Sequence, residues 1–297
     1  MTNTPAPAPP VPILPLPPTK KKDGAPITDV NKLPVVSPEV AAIIKKAAGL
    51  GTLPPLSSRV LALTAPPTAD KPGTERWAVK TGQDADRAKV GKNVIDGVDL
   101  KPGIVEATLE ELVSLPRPPG LENPSADPPA FTNVRDGVTE ITIWRTDATI
   151  IAVKHESDGD YHLVLQGTSG QEMVAEVPTP TRTFIGDSPW IGNIGDARKQ
   201  VDDKIVKHLS PAAFALLGNR YVPNGAMLTD PGTTLASGVS LVTPAEGSGL
   251  VQPLFQTATA PVAARITGVG FFDRAHGAIG AAPNVIELHP VLKIEWL

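Results

Sequence analysis

Val262 to Trp296 reads VAARITGVGFFDRAHGAIGAAPNVIELHPVLKIEW, and its patterning sets the fold class. From Asn284 to Trp296 apolar Ile286, Leu288, Leu292, Ile294 and Trp296 alternate with polar Glu287, His289, Lys293 and Glu295. A period of two is that of a β-strand with one buried face. Ala263 to Phe272 reads as a second strand, rich in β-branched and aromatic residues, with Gly268 and Gly270 predicting a bulge or bend. The Gly/Ala/Pro/Asn stretch from Asp273 to Pro283 joins the two as a long-looped hairpin.

Working back from this hairpin, Val138 to Glu156 reads as a long strand with a bend near Asp147. Ser157-Asp158-Gly159-Asp160 is a turn, Tyr161 to Gln166 a strand, Thr168-Ser169-Gly170 a turn, and Glu172 to Val177 a third strand. Asp196 to Leu209 places Ala197, Val201, Ile205 and Leu209 on one helical face. Ser210-Pro211 opens a second short helix that ends at Gly218, and residues 219–260 fit a long loop, an extra hairpin or an insertion. Three strands, a helix and two strands is the order of an OB-like five-stranded Greek-key barrel with its helix between strands three and four. A β-sandwich, which needs about seven strands and no helix, is the alternative.

The first half of the chain is different in kind. Of its 34 prolines, sixteen precede Glu75, and aromatic residues are 4%. Residues 1–36 read as a disordered, proline-rich arm, with PxxP spacing at Pro9, Pro12, Pro15 and Pro18 that suits either a spacer or docking to a protein partner. Residues 37–130 read as short helices and extended segments partly packed on the barrel, and residues 131–297 as the barrel domain with an insertion at about 210–260. Ser37-Pro38-Glu39 opens a helix that stops at Gly49 or Gly51, and Thr108-x-x-Glu111 is a capping box. Around Trp77 and Val79 a short strand is expected to turn at Gly82 into an Asp84/Asp86 helix cap.

A net charge of −4 supplies no global field for nucleic acid or an anionic membrane. With no cysteine, disulfides and thiolate chemistry are excluded. The start lacks the basic region and unbroken apolar run of a secretory signal, and no apolar run is long enough to span a bilayer, so a cytoplasmic location is the default expectation.

The motifs ERWAVKTGQDAD at 75–86, DGDYHLVL at 158–165, MVAEVP at 173–178, and GVGFFDRAHG with APNVIELHPV between 268 and 291 resemble those of a group of uncharacterised bacterial OB-fold-like proteins. The resemblance covers most of residues 75–291 and implies a shared fold but no activity. The proline-rich start and the segment from about 210 to 260 depart from it.

Strand geometry selects the candidate site. Asp160 and His162 share a strand face, as do Glu287 and His289. In an OB barrel the third strand runs between the second and fifth, which puts Glu176 between His162 and His289, with Asp273 and His276 in the loop above. His162, His289, Glu176 and Glu287 are therefore the candidate ligands of a divalent metal such as zinc or manganese, since imidazole and carboxylate suit borderline ions. An ion with an open position activates water for ester or phosphodiester hydrolysis. The competing expectation is that these histidines pair with neighbours to fix strand register, and that the barrel is a binding or structural module or a scaffold. Nucleic-acid binding rests on fold analogy alone: Trp144, Tyr161, Phe271 and Phe272 are the available platforms, Lys154 and Arg265 the cations. The two catalysis-relevant expectations separate on geometry: the enzyme needs both imidazoles within ligand reach of shared carboxylates.

Overall fold

In the computed structural model, which describes residues 24–49, 73, 75–95, 97–118, 134–156, 158–205, 221–223, 239–242, 254–257, 262–273 and 280–297, the strands in chain order are β1 (Val94–Ile95), β2 (Val98–Asp99), β3 (Ile104–Glu106), β4 (Ile143–His155), β5 (Tyr161–Gln166), β6 (Glu172–Val177), β7 (Tyr221–Pro223), β8 (Val239–Val242), β9 (Leu254–Thr257), β10 (Val262–Phe272) and β11 (Ile286–Trp296). The helices are α1 (Pro38–Gly49), α2 (Trp77–Thr81), α3 (Leu109–Val113), α4 (Gly137–Ile141), α5 (Arg182–Ile185) and α6 (Ile191–Lys204).

Five strands close a mixed barrel in the order β4, β5, β6, β11, β10 and back to β4. Every pairing in that ring is antiparallel except β6 with β11. Closure depends on the length of β4. Its first part pairs with β10, from Ile143↔Val269 to Ile150↔Val262, and its second with β5, from Thr149↔Gln166 to His155↔Tyr161. A strand shared between two partners must bend, and a register shift between Ile150 and Ala152 supplies the bend. It falls a few residues past Asp147, where the polar side chains had pointed. This is the OB-like ring, with α6 between its third and fourth strands in the chain.

One face of each strand fills the core. Leu163, Leu165, Met173, Ala175, Val177, Ile266, Ile286 and Leu288 belong to it, with Trp190, Ile194, Ala197 and Val201 of α6 and the residue before it. Burying each of the leucine, isoleucine, valine and methionine side chains among them contributes about 1.5–3 kcal/mol. Helix α6 begins at Ile191, ahead of the expected Asp196, because its apolar stripe already starts at Trp190 and Ile194. The second short helix expected after Ser210 lies outside the described residues. From 219–260 the described pieces include a β8–β9 hairpin and β7, which pairs with both β4 and β9.

The N-terminal half packs on this barrel. Thr108 and Glu111 form the expected capping box at α3, and α1 spans Pro38–Gly49 as read. Residues 24–36, assigned to the arm by composition, pack as well: Val30 is buried in the core and Trp190 donates its Nε1–H to the Ile27 carbonyl at 2.7 Å. Residues 1–23 lie outside the described set.

Two local expectations are corrected. Val138 to Ile141 is helical, because Gly137 at φ 66° breaks extension and buries Val138 and Ile141 three residues apart on one face. Trp77 to Thr81 is also helical. Gly82 at φ 75° caps it through its N–H to the carbonyls of Ala78 and Val79, a left-handed conformation that favours glycine. The helix cap expected after Gly82 is a 3-10 turn, Arg87–Lys89, with Asp86 at its start but no side-chain capping bond. Asp84 accepts from the Asp86 backbone N–H at 2.9 Å and pairs with Arg135, while Asp86 pairs with Lys89.

Candidate functional site

The outer face of β5, β6, β11 and the end of β10 is covered rather than solvated. His162 and Val164 on β5, Val174 and Glu176 on β6, Glu287 and His289 on β11, and Phe271 on β10 alternate with the core residues and are all buried. Helix α2 packs against β11 on this side, and the Lys80 ammonium lies 5.2 Å from the centre of the Phe271 ring. Two ion pairs hold the α2 segment down. Arg76 donates to both oxygens of Glu140 and to the carbonyls of Phe272 and Val134. Arg135 donates to both oxygens of Asp84 and to the carbonyls of Val79 and Glu140. Buried charges paired and saturated in this way avoid the desolvation cost of a lone ion.

Register brings the candidate residues together. His162 is directly opposite Glu176 across β5–β6, and the pairings Glu287↔Val174 and Leu288↔Ala175 across β6–β11 place His289 beside Glu176 from the other side. On β11, His289 and Pro290 together oppose Val269 alone, between the pairs Gly270↔Leu288 and Gly268↔Val291. A bulge of this type re-aims side chains, and it interrupts the period of two where the chemistry lies. Just ahead of the strand, Val285 has φ 56°, a costly conformation for a β-branched residue. Asn284, donating to the carbonyls of Leu112 and Leu115, and Asp273, whose N–H meets the Val285 carbonyl, hold it there.

Glu176 stands between the two imidazoles. Its Oε1 is 2.9 Å from His162 Nδ1 and its Oε2 2.8 Å from His289 Nδ1. Around His162 Nδ1 lies also Glu156 Oε1 at 3.6 Å. Around His289 lie Glu287 Oε2 at 3.8 Å from Nδ1 and Asp160 Oδ2 at 3.3 Å from Nε2. His162 and Glu176 are hydrogen-bonded. At His289 the distances are short but the alignment of a hydrogen bond is missing: both ring nitrogens, both Asp160 oxygens and Glu287 Oε2 are buried without a hydrogen-bond partner. Lys80 Nζ lies 3.7 Å from Asp273 Oδ1 and 4.0 Å from Glu176 Oε2.

Burial and the crowding of acids shift the titrations of Glu287, Asp160, His289, His162 and Glu176. Burial pushes Glu287 up to about 7, helped by the charges of Asp273 and Glu176. Burial likewise raises Asp160 to about 6, against the opposing pull of His289. For His289 burial works to lower the value, but Glu176, Asp160 and Glu287 more than offset it, so the imidazolium persists well above its usual range. His162 is raised in the same way, chiefly by Glu176. Glu176, despite burial, is held well below the carboxylate range by His289, Lys80 and His162.

Of the residues singled out in the sequence, His162, His289, Glu176, Glu287, Asp160 and Asp273 converge, whereas His276 lies outside the described residues. Lys80 and Glu156 were not anticipated. The signal for Lys80 was its place in ERWAVKTG, read there as an extended segment. Glu156 sits at the end of β4, and only the β4–β5 register carries it to His162. The nucleic-acid platforms fare differently: Trp144, Tyr161, Phe271 and Phe272 are all buried, and Arg265 pairs with Asp147 on the surface. Among the described residues no helix is long and apolar enough to cross a membrane.

Comparison of the chain with protein-family models, with curated proteins and with solved structures gave no match.

Proposed function

We propose that the barrel carries a divalent-metal-dependent hydrolytic centre on its outer face, with His289, Glu176, Asp160 and Glu287 as the donor set. The observation that carries this reading is the group of buried, unpartnered donor atoms on His289, Asp160 and Glu287 around the Glu176 carboxylate. Leaving such groups unsatisfied costs about 1–3 kcal/mol each, more when charged, and a cation held on one ring nitrogen of His289 would take up the carboxylate oxygens beside it. The donors are nitrogen and oxygen, which suits zinc or manganese. The position also matches where OB-type barrels bind ligands, on the face of strands two and three and the loops beside them, although that analogy concerns fold alone.

A bound ion supplies a Lewis acid and lowers the pKa of a coordinated water. The chain supplies the rest. Glu287, 3.8 Å from His289 Nδ1, would complete the donor set, and Lys80 offers a positive charge beside Glu176 to an anionic substrate or leaving group.

A second reading rests on Lys80 itself. A lysine that enters the acid cluster is a built-in counter-ion, and with it the cluster is a structural ion network beneath a non-catalytic binding module. The full chain, stripped of ions and then given Mn²⁺ or Zn²⁺, separates the two. Ion binding and ion-dependent hydrolysis of p-nitrophenyl esters, both lost in Glu176→Ala, support the hydrolase. A chain that binds neither ion leaves the structural network.

A further inference from the structure

The two sides of Glu176 differ in a way that one ion does not use. Its Oε2 faces His289, in the closed part of the cluster, where His289 is fully buried. Its Oε1 faces His162 and Glu156, and the Glu156 side chain is 22% exposed. Among the described residues two three-residue sets that share Glu176 have their donor atoms within 4.8 Å of one another: Asp160, Glu176 and His289, and Glu156, His162 and Glu176. Glu176 belongs to both through different oxygens.

We propose that the cluster holds two divalent cations, an inner one on His289, Asp160 and Glu176 and an outer one on His162, Glu156 and Glu176, with the Glu176 carboxylate bridging them. This rests on the hydrolytic reading above and narrows its substrate to phosphate esters. The separations of 2.8–3.6 Å between each Nδ1 and the Glu176 or Glu156 oxygen beside it approach those of ligands sharing an ion, whose bonds are about 2.0–2.2 Å, and Asp160 stands at the other ring nitrogen of His289, 3.3 Å from Nε2. Charge runs the same way: Lys80 is set against Asp273 and Glu176, and the carboxylates of Asp160, Glu156 and Glu287 add to the negative excess around the two histidines. Glu287, with an oxygen that lacks a hydrogen bond, lies 3.8 Å from His289 Nδ1.

Exposure assigns the roles. An outer ion would lie at the part-exposed Glu156 edge, whereas an inner ion would be enclosed by protein beside His289. Paired ions of this kind, typically about 3.5–4 Å apart, clamp the attacking and leaving oxygens of an in-line phosphoryl displacement. For a phosphodiester the water oxygen forms a bond to phosphorus and the bond from phosphorus to the leaving oxygen breaks. One water proton passes to the leaving oxygen, giving the alcohol, and the other departs with the phosphate monoester. No redox partner is required.

The test is stoichiometry. The full chain is saturated with Mn²⁺, freed of unbound ion by gel filtration, and its manganese content and electron paramagnetic resonance spectrum are measured alongside hydrolysis of bis(p-nitrophenyl) phosphate. Two ions per chain with a spin-coupled spectrum are expected, falling to one uncoupled ion in both His162→Ala and Glu156→Gln. These edge substitutions spare the enclosed His289, and circular dichroism checks that each variant is folded. One ion per chain with hydrolysis intact overturns the paired centre while leaving the hydrolase standing. No ion overturns both. Two ions that persist in His162→Ala also overturn it, since the second ion then lies elsewhere.

Discussion

Arg76 and Glu140 form a fully buried two-pronged ion pair, Nη1 to Oε1 at 2.8 Å and Nη2 to Oε2 at 2.6 Å, that clamps α2 to the barrel. Glu140 is saturated further by the N–H groups of Phe272 and Asp136. Removing one partner strands the other charge, so Arg76→Met and Glu140→Gln should each destabilise the chain by about 3–5 kcal/mol. The double replacement Arg76→Met with Glu140→Leu should recover much of that. Urea unfolding of the four proteins measures it, and single variants within about 1 kcal/mol of the parent contradict the clamp.

An ion that binds only the folded chain raises its stability in proportion to occupancy. At about 100 times its dissociation constant the gain is about 2.7 kcal/mol, or roughly 5–10 °C in Tm for a domain of this size. Manganese or zinc should produce this rise in ion-stripped protein, and calcium a smaller one, since nitrogen donors suit it poorly. Glu176→Ala should abolish the rise. Thermal unfolding with chelator and with each ion gives the comparison.

Without ions, stability should fall as pH rises from 5 to 8. Glu287 and Asp160 have folded values raised to about 7 and about 6, from 4.5 and 3.8. Their contribution is therefore complete below the unfolded values and lost as pH passes through the raised ones. His162 and His289, also raised, lose theirs in the same direction above 6.5. Glu176 is lowered, so its contribution is complete above 4.5 and does not change in this window. At about 1.4 kcal/mol per unit, Glu287 alone contributes on the order of 3 kcal/mol. Saturating Mn²⁺ should reverse the trend, because an ion binds the deprotonated donors. A Tm flat from pH 5 to 8 in stripped protein speaks against the protonated acids.

The barrel was legible because its strands carry their own evidence: the alternation in Tyr161 to Gln166, Glu172 to Val177 and the C-terminal pair fixes faces, and faces with strand order fix neighbours. Glu176 between His162 and His289 followed from that alone. Glu156 and the unpartnered state of Asp160 did not, since the first depends on where β4 hands over from β10 to β5 and the second on atomic alignment. Lys80 was missed because Trp77 and Val79 mimic a strand's alternation inside a five-residue helix. Its end at Gly82 is set by a left-handed φ, and its place by the distant Glu140 and Arg135. Short helices carry too few residues for their period to show, and tertiary ion pairs between segments some sixty residues apart leave no local pattern.

Lys80 is the residue on which the two functional readings disagree, and Lys80→Met sets them apart. Its ammonium is held well above the usual lysine range, since Asp273, Glu176 and Glu287 more than offset burial, so it is charged at any working pH. Losing that charge leaves the carboxylates facing one another, and the stripped variant should melt several degrees below the parent. The same loss removes a cation 4.0 Å from Glu176, one that competes with a metal ion for that carboxylate and repels the ion. Mn²⁺ should therefore bind Lys80→Met on the order of tenfold more tightly and restore most of the lost Tm, even as phosphate-ester hydrolysis falls. Calorimetric titration and melting of the two proteins read both effects. A variant that is destabilised and that no divalent ion rescues identifies Lys80 as the counter-ion the acids were built around, and the face as a structural one.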